Sequence, residues 1–297
     1  MDDDSEPPPK WPELETLISV KEGRTKDEVG GTFDAEALPR KDWDQPWMQA
    51  IAKVVLVHRL REVVAQLGFT RFEAVGPDEH GELDTNVQRA SIALDAKWLP
   101  AVENRGEGIF LLFDRAKLDD WAHRPAVLER GRRLESGFKG WQAQHPGAGQ
   151  HVRGLPYVML HTLSHLLLTT VSLECGYAAS SIRERIYAVP EIGYGILLYT
   201  GTSDAEGTLG GLVATGRQIA EHMKRAIELG RLCSNDPICA QHDPADRHEA
   251  RFLHGAACHG CLLVSETSCE QHNEFLDRAL VVPTVSDLDS AFFAEYA

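Results

Sequence analysis

The sequence predicts a mixed α/β protein of the α+β kind that closes with a C-terminal zinc-binding module of four cysteine ligands. Three observations carry that expectation. Five of the six cysteines crowd into one stretch with the spacing C-x5-C-x18-C-x2-C-x7-C, from Cys233 to Cys269. A long apolar run of helical character spans 156–175, with Pro156 near its start and Gly176 after its end. Short, continuously apolar segments such as 108–113 and 195–200 read as buried strands.

Taken in order, the elements divide the chain into four parts. Residues 1–45 are an acidic, proline-rich tail that cannot bury enough apolar surface to fold alone. Trp11, Leu14, Leu17 and Ile18 within it suggest a short helix that docks, either on the protein's own body or on a partner. Residues 46–150 form an α/β subdomain. From Trp47 to Leu67, ended by Gly68, the apolar spacing suits a helix or a strand–helix pair, although Val54 to Val57 is β-branched enough for strand. Residues 69–75 and 90–94 read as further strands, and 115–144 as helical. The helical stretch carries Arg124, Arg130, Arg132, Arg133 and Lys139, either a solvated face or a phosphate-binding one. The glycine-rich stretch 145–156 marks a boundary. Residues 151–285 form the zinc-binding domain, with the long helix, a second helix over 177–187, a strand over 195–200 and a helix over 208–229. Residues 286–297 are a C-terminal tail.

Composition is that of a globular protein, 43% hydrophobic and 25% charged. The long apolar helix is interrupted by His161, His165 and hydroxyl residues, so it reads as buried rather than membrane-spanning. The acidic N-terminus fits no secretory signal, which predicts a cytoplasmic protein whose thiols stay reduced and free to bind metal. A net charge of −15 opposes direct electrostatic binding to DNA. Nucleic-acid contact would be local or made through a partner.

The knuckle Cys258-His259-Gly260-Cys261 is the tightest part of the cysteine stretch. A C-x2-C turn aims two thiolates at one ion, and Zn²⁺ takes four such ligands tetrahedrally. The expected metal ligands are Cys239, Cys258, Cys261 and Cys269, with Cys233 as the substitute for the fourth. Asp236-Pro237 before Cys239 provides a turn that favours it over Cys233. His242, His254, His259 and His272 are weaker substitutes. Four thiolates leave no position for a catalytic water, so this zinc would be a structural staple.

The run LHGAACHGCLLVSETSCE from Leu253, followed by Asn273 and by Leu276-Asp277-Arg278, resembles the MrfA-type zinc-binding domain of certain superfamily 2 helicases. The blocks HTLSHLLL from His161, LECGYAASSIRERIY from Leu173, GILLYT from Gly195 and SDAEGTLGGLV from Ser203 extend a resemblance to the DrmB family of DISARM anti-phage systems. It covers residues 50–283 and corresponds to a C-terminal portion of that longer family. The resemblance implies a non-catalytic accessory subunit, a helicase-type ATPase partner (DrmA-like), and action on DNA through the complex, with no membrane involvement. Neither a G-x4-G-K-[ST] pattern nor a DEAH-type box is present, so ATP hydrolysis would belong to the partner.

A second function class rests on other residues. His161 and His165 lie four apart and share a helix face, although Thr162 stands where a zinc protease needs glutamate. With Glu174, Asp204 and Glu206 they would form a hydrolase or nuclease site. The alternative is a buried, hydrogen-bonded network that fixes packing. Cys175, beside Glu174, is a poor nucleophile because a neighbouring carboxylate raises a thiol pKa.

Overall fold

The computed structural model describes residues 8–26, 31–66, 68, 69, 90, 97–145, 151–200, 210–246 and 253–296. Its centre is a six-stranded antiparallel sheet of order β1-β2-β3-β4-β6-β5. The strands are β1 (Gly23–Lys26), β2 (Asp34–Ala37), β3 (Ile51–Ala65), β4 (Ala101–Phe113), β5 (Ile182–Val189) and β6 (Gly193–Thr200). Around it lie α1 (Lys10–Ser19), α2 (Arg115–Ala122), α3 (Pro125–Gln144), α4 (Leu155–Cys175), α5 (Gly211–Gly216) and α6 (Ile219–Gly230).

Side chains alternate across a strand, so each strand supplies both faces of the sheet. Val54, Leu56, Ile109, Leu111, Ile196 and Leu198 face the larger core, which is filled by α4, α5, α6 and the cysteine-rich C-terminal region. Val55, Val57, Phe110, Leu197 and Tyr199 face the other side, where Leu14 and Leu17 of α1 cover them. Both faces of β3 are therefore apolar in its first half, and the ambiguity over 47–67 resolves to one long strand. The expected strand at 69–75 lies mostly outside the described residues, as does most of 90–94. The only pairing described there joins Phe69 to Ala90.

The helix expected over 115–144 is two, broken where Pro125 starts α3. The second helix expected over 177–187 is a correction: Ala179–Ser181 is one 3₁₀ turn, and Ile182–Val189 is an edge strand. Ile182, Glu184 and Ile186 face the large core while Arg183 and Arg185 face the other side, where they pair with Glu62 and Glu13. The helix expected over 208–229 is broken near Arg217 into α5 and α6.

Helix α4 begins with Pro156 in its first turn and stops at Gly176, whose φ of 76° is a left-handed value that favours glycine. Among the described residues it is the one helix long and apolar enough to cross a membrane, but 78% of its apolar stretch is buried inside the protein. It forms the spine of the large core, packing on α5, α6 and the sheet. The buried carboxylate of Glu107 accepts the Tyr177 hydroxyl at 2.7 Å and the Leu212 N–H at 2.8 Å, which ties β4 to the start of α5.

A boundary near residue 150 does not part the sheet, because β4 pairs directly with β6. The expected tails are also built in. Lys10, Leu14 and Leu17 are buried, and at the far end Trp121 Nε1 donates to Ser290 O at 2.8 Å while Phe293 is buried.

Candidate metal centre

The last turn of α6 delivers the chain to Cys233, and the turn at Asp236 carries it to Cys239. Asp236 accepts the Ala240 N–H at 3.2 Å and the Arg278 guanidinium at 2.6 and 2.8 Å. The knuckle supplies Cys258 and Cys261. The four sulfurs of Cys233, Cys239, Cys258 and Cys261 lie within 4.8 Å of one another. Adjacent pairs stand at 3.5 Å (Cys233–Cys258), 3.8 Å (Cys239–Cys261) and 3.7 Å (Cys258–Cys261). Thiolates about 2.3 Å from a tetrahedral zinc are about 3.8 Å apart, so the donor set and its spacing fit Zn²⁺.

The surroundings fit a thiolate cluster as well. Cys258 Sγ accepts from Gly260 N at 3.3 Å and Asn235 Nδ2 at 3.3 Å, and Cys233 Sγ accepts from Asn235 N at 3.4 Å. The contact with Cys239, more than any other influence, lowers the Cys261 thiol to about 6, while the Cys239 thiol is pushed up by the same contact and by burial. Arg278, fully buried, sets a permanent positive charge beside the group.

The structure thus changes one member of the expected ligand set. Cys239, Cys258 and Cys261 come together as expected, with Cys233 as the fourth sulfur instead of Cys269. The physical reason is the path of the chain after Cys261. It turns inward past Val264, whose N–H and C=O are both bonded to the Asn273 side chain, and carries Cys269 to the underside of α4. His259 and His272 are exposed. The His242 and His254 ring centres lie 5.3 Å apart in a tilted arrangement outside the sulfur group, and burial lowers His254 to about 4.

Cys269 instead meets the histidine pair. His161 Nε2 lies 3.1 Å from Cys269 Sγ, 2.9 Å from Glu184 Oε1 and 3.1 Å from His165 Nε2. His165 Nε2 is 3.3 Å from the same Glu184 oxygen. Of the residues expected to complete a hydrolase site, Glu174 is instead exposed and pairs with Arg225 and His222. Asp204 and Glu206 lie outside the described residues. Glu184 was missed because its segment reads as a helix. The available signal was the strand-like spacing of Ile182, Glu184 and Ile186, which puts the glutamate between two core positions. The Cys175 thiol is raised chiefly by burial, and the carboxylate that adds to this is Glu107 rather than Glu174.

In the basic stretch of α3 one arginine turns inward, and Arg132, Arg133 and Lys139 pair with acids of the same helix at the surface. Arg130 is buried against Asp277, Arg132 and Arg133 reach Glu129, and Lys139 reaches Glu135. This favours the solvated-face reading over a phosphate-binding one.

Residues 163–262 match the family model of the MrfA Zn-binding domain, a span that contains all four members of the sulfur group. The chain is 37% identical over 270 residues to the DISARM protein DrmB of Bacillus paralicheniformis, which covers 89% of this chain and 46% of that protein. The chain therefore spans about half the length of the relative it matches. Both resemblances read from the cysteine stretch and its flanking blocks are present at this level.

Proposed function

We propose that this chain, similar over 89% of its length to a DISARM protein, is a non-catalytic zinc-bearing subunit of an anti-phage defence complex. It associates with a helicase-type ATPase, and the complex rather than this subunit engages DNA in the cytoplasm. The observation that carries the reading is the similarity to DrmB together with a four-sulfur group that leaves a bound zinc no open position for water. In that role the zinc's chemistry is purely structural. Cys233, Cys239, Cys258 and Cys261 hold the region after α6 in one shape, and Arg278 links that shape to the core beneath α4.

A net charge of −15, with Arg130, Arg132, Arg133 and Lys139 each beside a carboxylate, argues for weak DNA binding by the isolated chain. Two measurements test the proposal together. Affinity capture of the chain from its native cells should retain a helicase-type ATPase, and Cys258→Ser should abolish that capture and phage protection. DNA affinity should be weak for the chain alone and rise when the ATPase subunit is added. Nuclease or hydrolase activity in the purified chain, or protection that survives deletion of the chain, would overturn the reading.

A further inference from the structure

We propose that the protein holds a second, fully enclosed metal ion, bound by His161 and His165 of α4, Glu184 of β5 and Cys269 of the C-terminal loop. The site goes beyond the four-sulfur group and draws two of its ligands, His161 and Cys269, from outside the span that matches the zinc-binding family.

The argument starts with hydrogen-bond direction. His165 Nδ1 lies 2.9 Å from Leu262 O, and His161 Nδ1 lies 3.3 Å from Phe275 O. A carbonyl can only accept, so both Nδ1 atoms carry the hydrogen, and in that tautomer each ring turns an Nε2 lone pair inward. Those lone pairs point into one space from 3.1 Å apart, and the same space receives Glu184 Oε1 and Cys269 Sγ. The Cys269 thiol proton can serve its contact with His161 and a ring proton one more, which still divides the group into separate pairs. A dication satisfies all four. Ligands about 2.0–2.3 Å from a tetrahedral metal stand about 3.3–3.7 Å apart, and the separations here, 2.9–3.3 Å, would open by a few tenths of an ångström as an ion enters.

The outer contacts complete the pattern of a metal site. Each histidine is oriented by a backbone carbonyl, the second oxygen of Glu184 accepts the Ser164 hydroxyl, and Cys269 Sγ accepts N–H bonds from Gln271 at 3.3 Å and Asn273 at 3.2 Å. Charge also balances. On binding, the Cys269 thiol proton leaves to solvent, and one thiolate with one carboxylate neutralises a doubly charged ion. All four residues are at most 7% exposed, so the ion has no exchangeable water position and acts structurally. Two imidazoles, a thiolate and a carboxylate in a closed tetrahedron suit Zn²⁺.

The test uses the untagged full chain purified without chelators, measuring zinc by mass spectrometry and its ligand shell by X-ray absorption. The expected result is about two zinc ions per chain with a mixed shell of about five sulfurs to three nitrogens or oxygens. An all-sulfur shell, at any stoichiometry, overturns the proposal. Glu184→Gln and Cys269→Ser should each halve the metal content and leave an all-sulfur shell. Cys258→Ser should retain the nitrogen-rich component. The wild-type spectrum decides the matter even if a variant does not fold, and it is independent of whether any ATPase partner binds.

Discussion

At the scale of single residues, the tightest constraint below α4 is the ion pair between Arg130 and Asp277. Its two bonds are 2.6 and 2.9 Å long, and both side chains are buried. Asp277 also accepts N–H bonds from Ala256 and Ala279 at 3.1 Å, and a Cβ on Gly255 would stand 2.3 Å from its Oδ2. Glycine at 255 is thus required by close approach. Burial works against the Arg130 charge, but Asp277 more than offsets it and raises the pKa. Asp277→Ala strands a buried guanidinium and is expected to cost about 3–5 kcal/mol in denaturant unfolding. Glu129→Ala, which breaks exposed pairs on the same helix, should cost about 0–1 kcal/mol. His222 makes a second case. Burial depresses its pKa against the opposing pull of Glu174, so the native state prefers the neutral ring. As pH falls below about 6.5 the unfolded chain takes up a proton that the native chain resists, and stability is lost. His222→Met should flatten the fall in melting temperature between neutral and mildly acidic pH. The sequence marked Arg130 only as one of several cations, because nothing in a helical charge run says which member turns inward.

At the scale of elements, α1 shows how a segment that reads as a tail becomes structure. Leu14 is fully buried and packs with Val55, Phe110 and Tyr187 on the far face of the sheet. The Lys10 ammonium is also buried, donating to Ile186 O at 2.8 Å and to Glu270 at 2.9 Å. Glu270 follows Cys269 directly, so α1 reaches the loop that feeds the histidine cluster. Leu14→Ala is expected to destabilise the protein by about 2–5 kcal/mol, read as a shifted denaturation midpoint. The apolar positions of α1 were visible in sequence, but their docking surface was not, since it is assembled from strands as distant in the chain as β3, β4, β5 and β6. The strand at Ile182–Val189 was hidden for a different reason. Arg183 and Arg185 on one face and Glu184 on the other give a charged run that masks the alternation of Ile182 and Ile186. The α4 helix was legible throughout because its proline start, apolar body and glycine stop are all local signals.

At the scale of the whole molecule, the cysteine region is part of the main core rather than an appended module. The large core runs without interruption from Leu38 through α4 and the sheet to Phe293, and includes Leu253, Leu262, Phe275 and Leu280 from the region around the knuckle. The sequence located the zinc chemistry correctly by spacing, yet offered no way to see that Cys233 rather than Cys269 completes the sulfur group. That choice depends on the inward turn after Val264, a tertiary feature. The shared core has a thermodynamic consequence. Metal binding to ligands that converge only in the folded chain is itself folding free energy, with apparent values of about 10–16 kcal/mol for small zinc fingers at neutral pH. A domain is stable by only about 5–15 kcal/mol, so stripping zinc should remove a large part of the margin. Because Arg278 bonds Asp236, which lies between Cys233 and Cys239, and Gly230 at the end of α6, while its neighbour Asp277 holds α3, loss of the metal should propagate into the core under α4. The metal-loaded protein is therefore expected to melt in one cooperative transition. Treatment with a thiol-reactive mercurial, which displaces the zinc, should lower that transition as a unit. Two well-separated transitions, with the sheet signal surviving metal release, would instead mean that a boundary near residue 150 divides the protein despite the continuous pairing of β4 with β6.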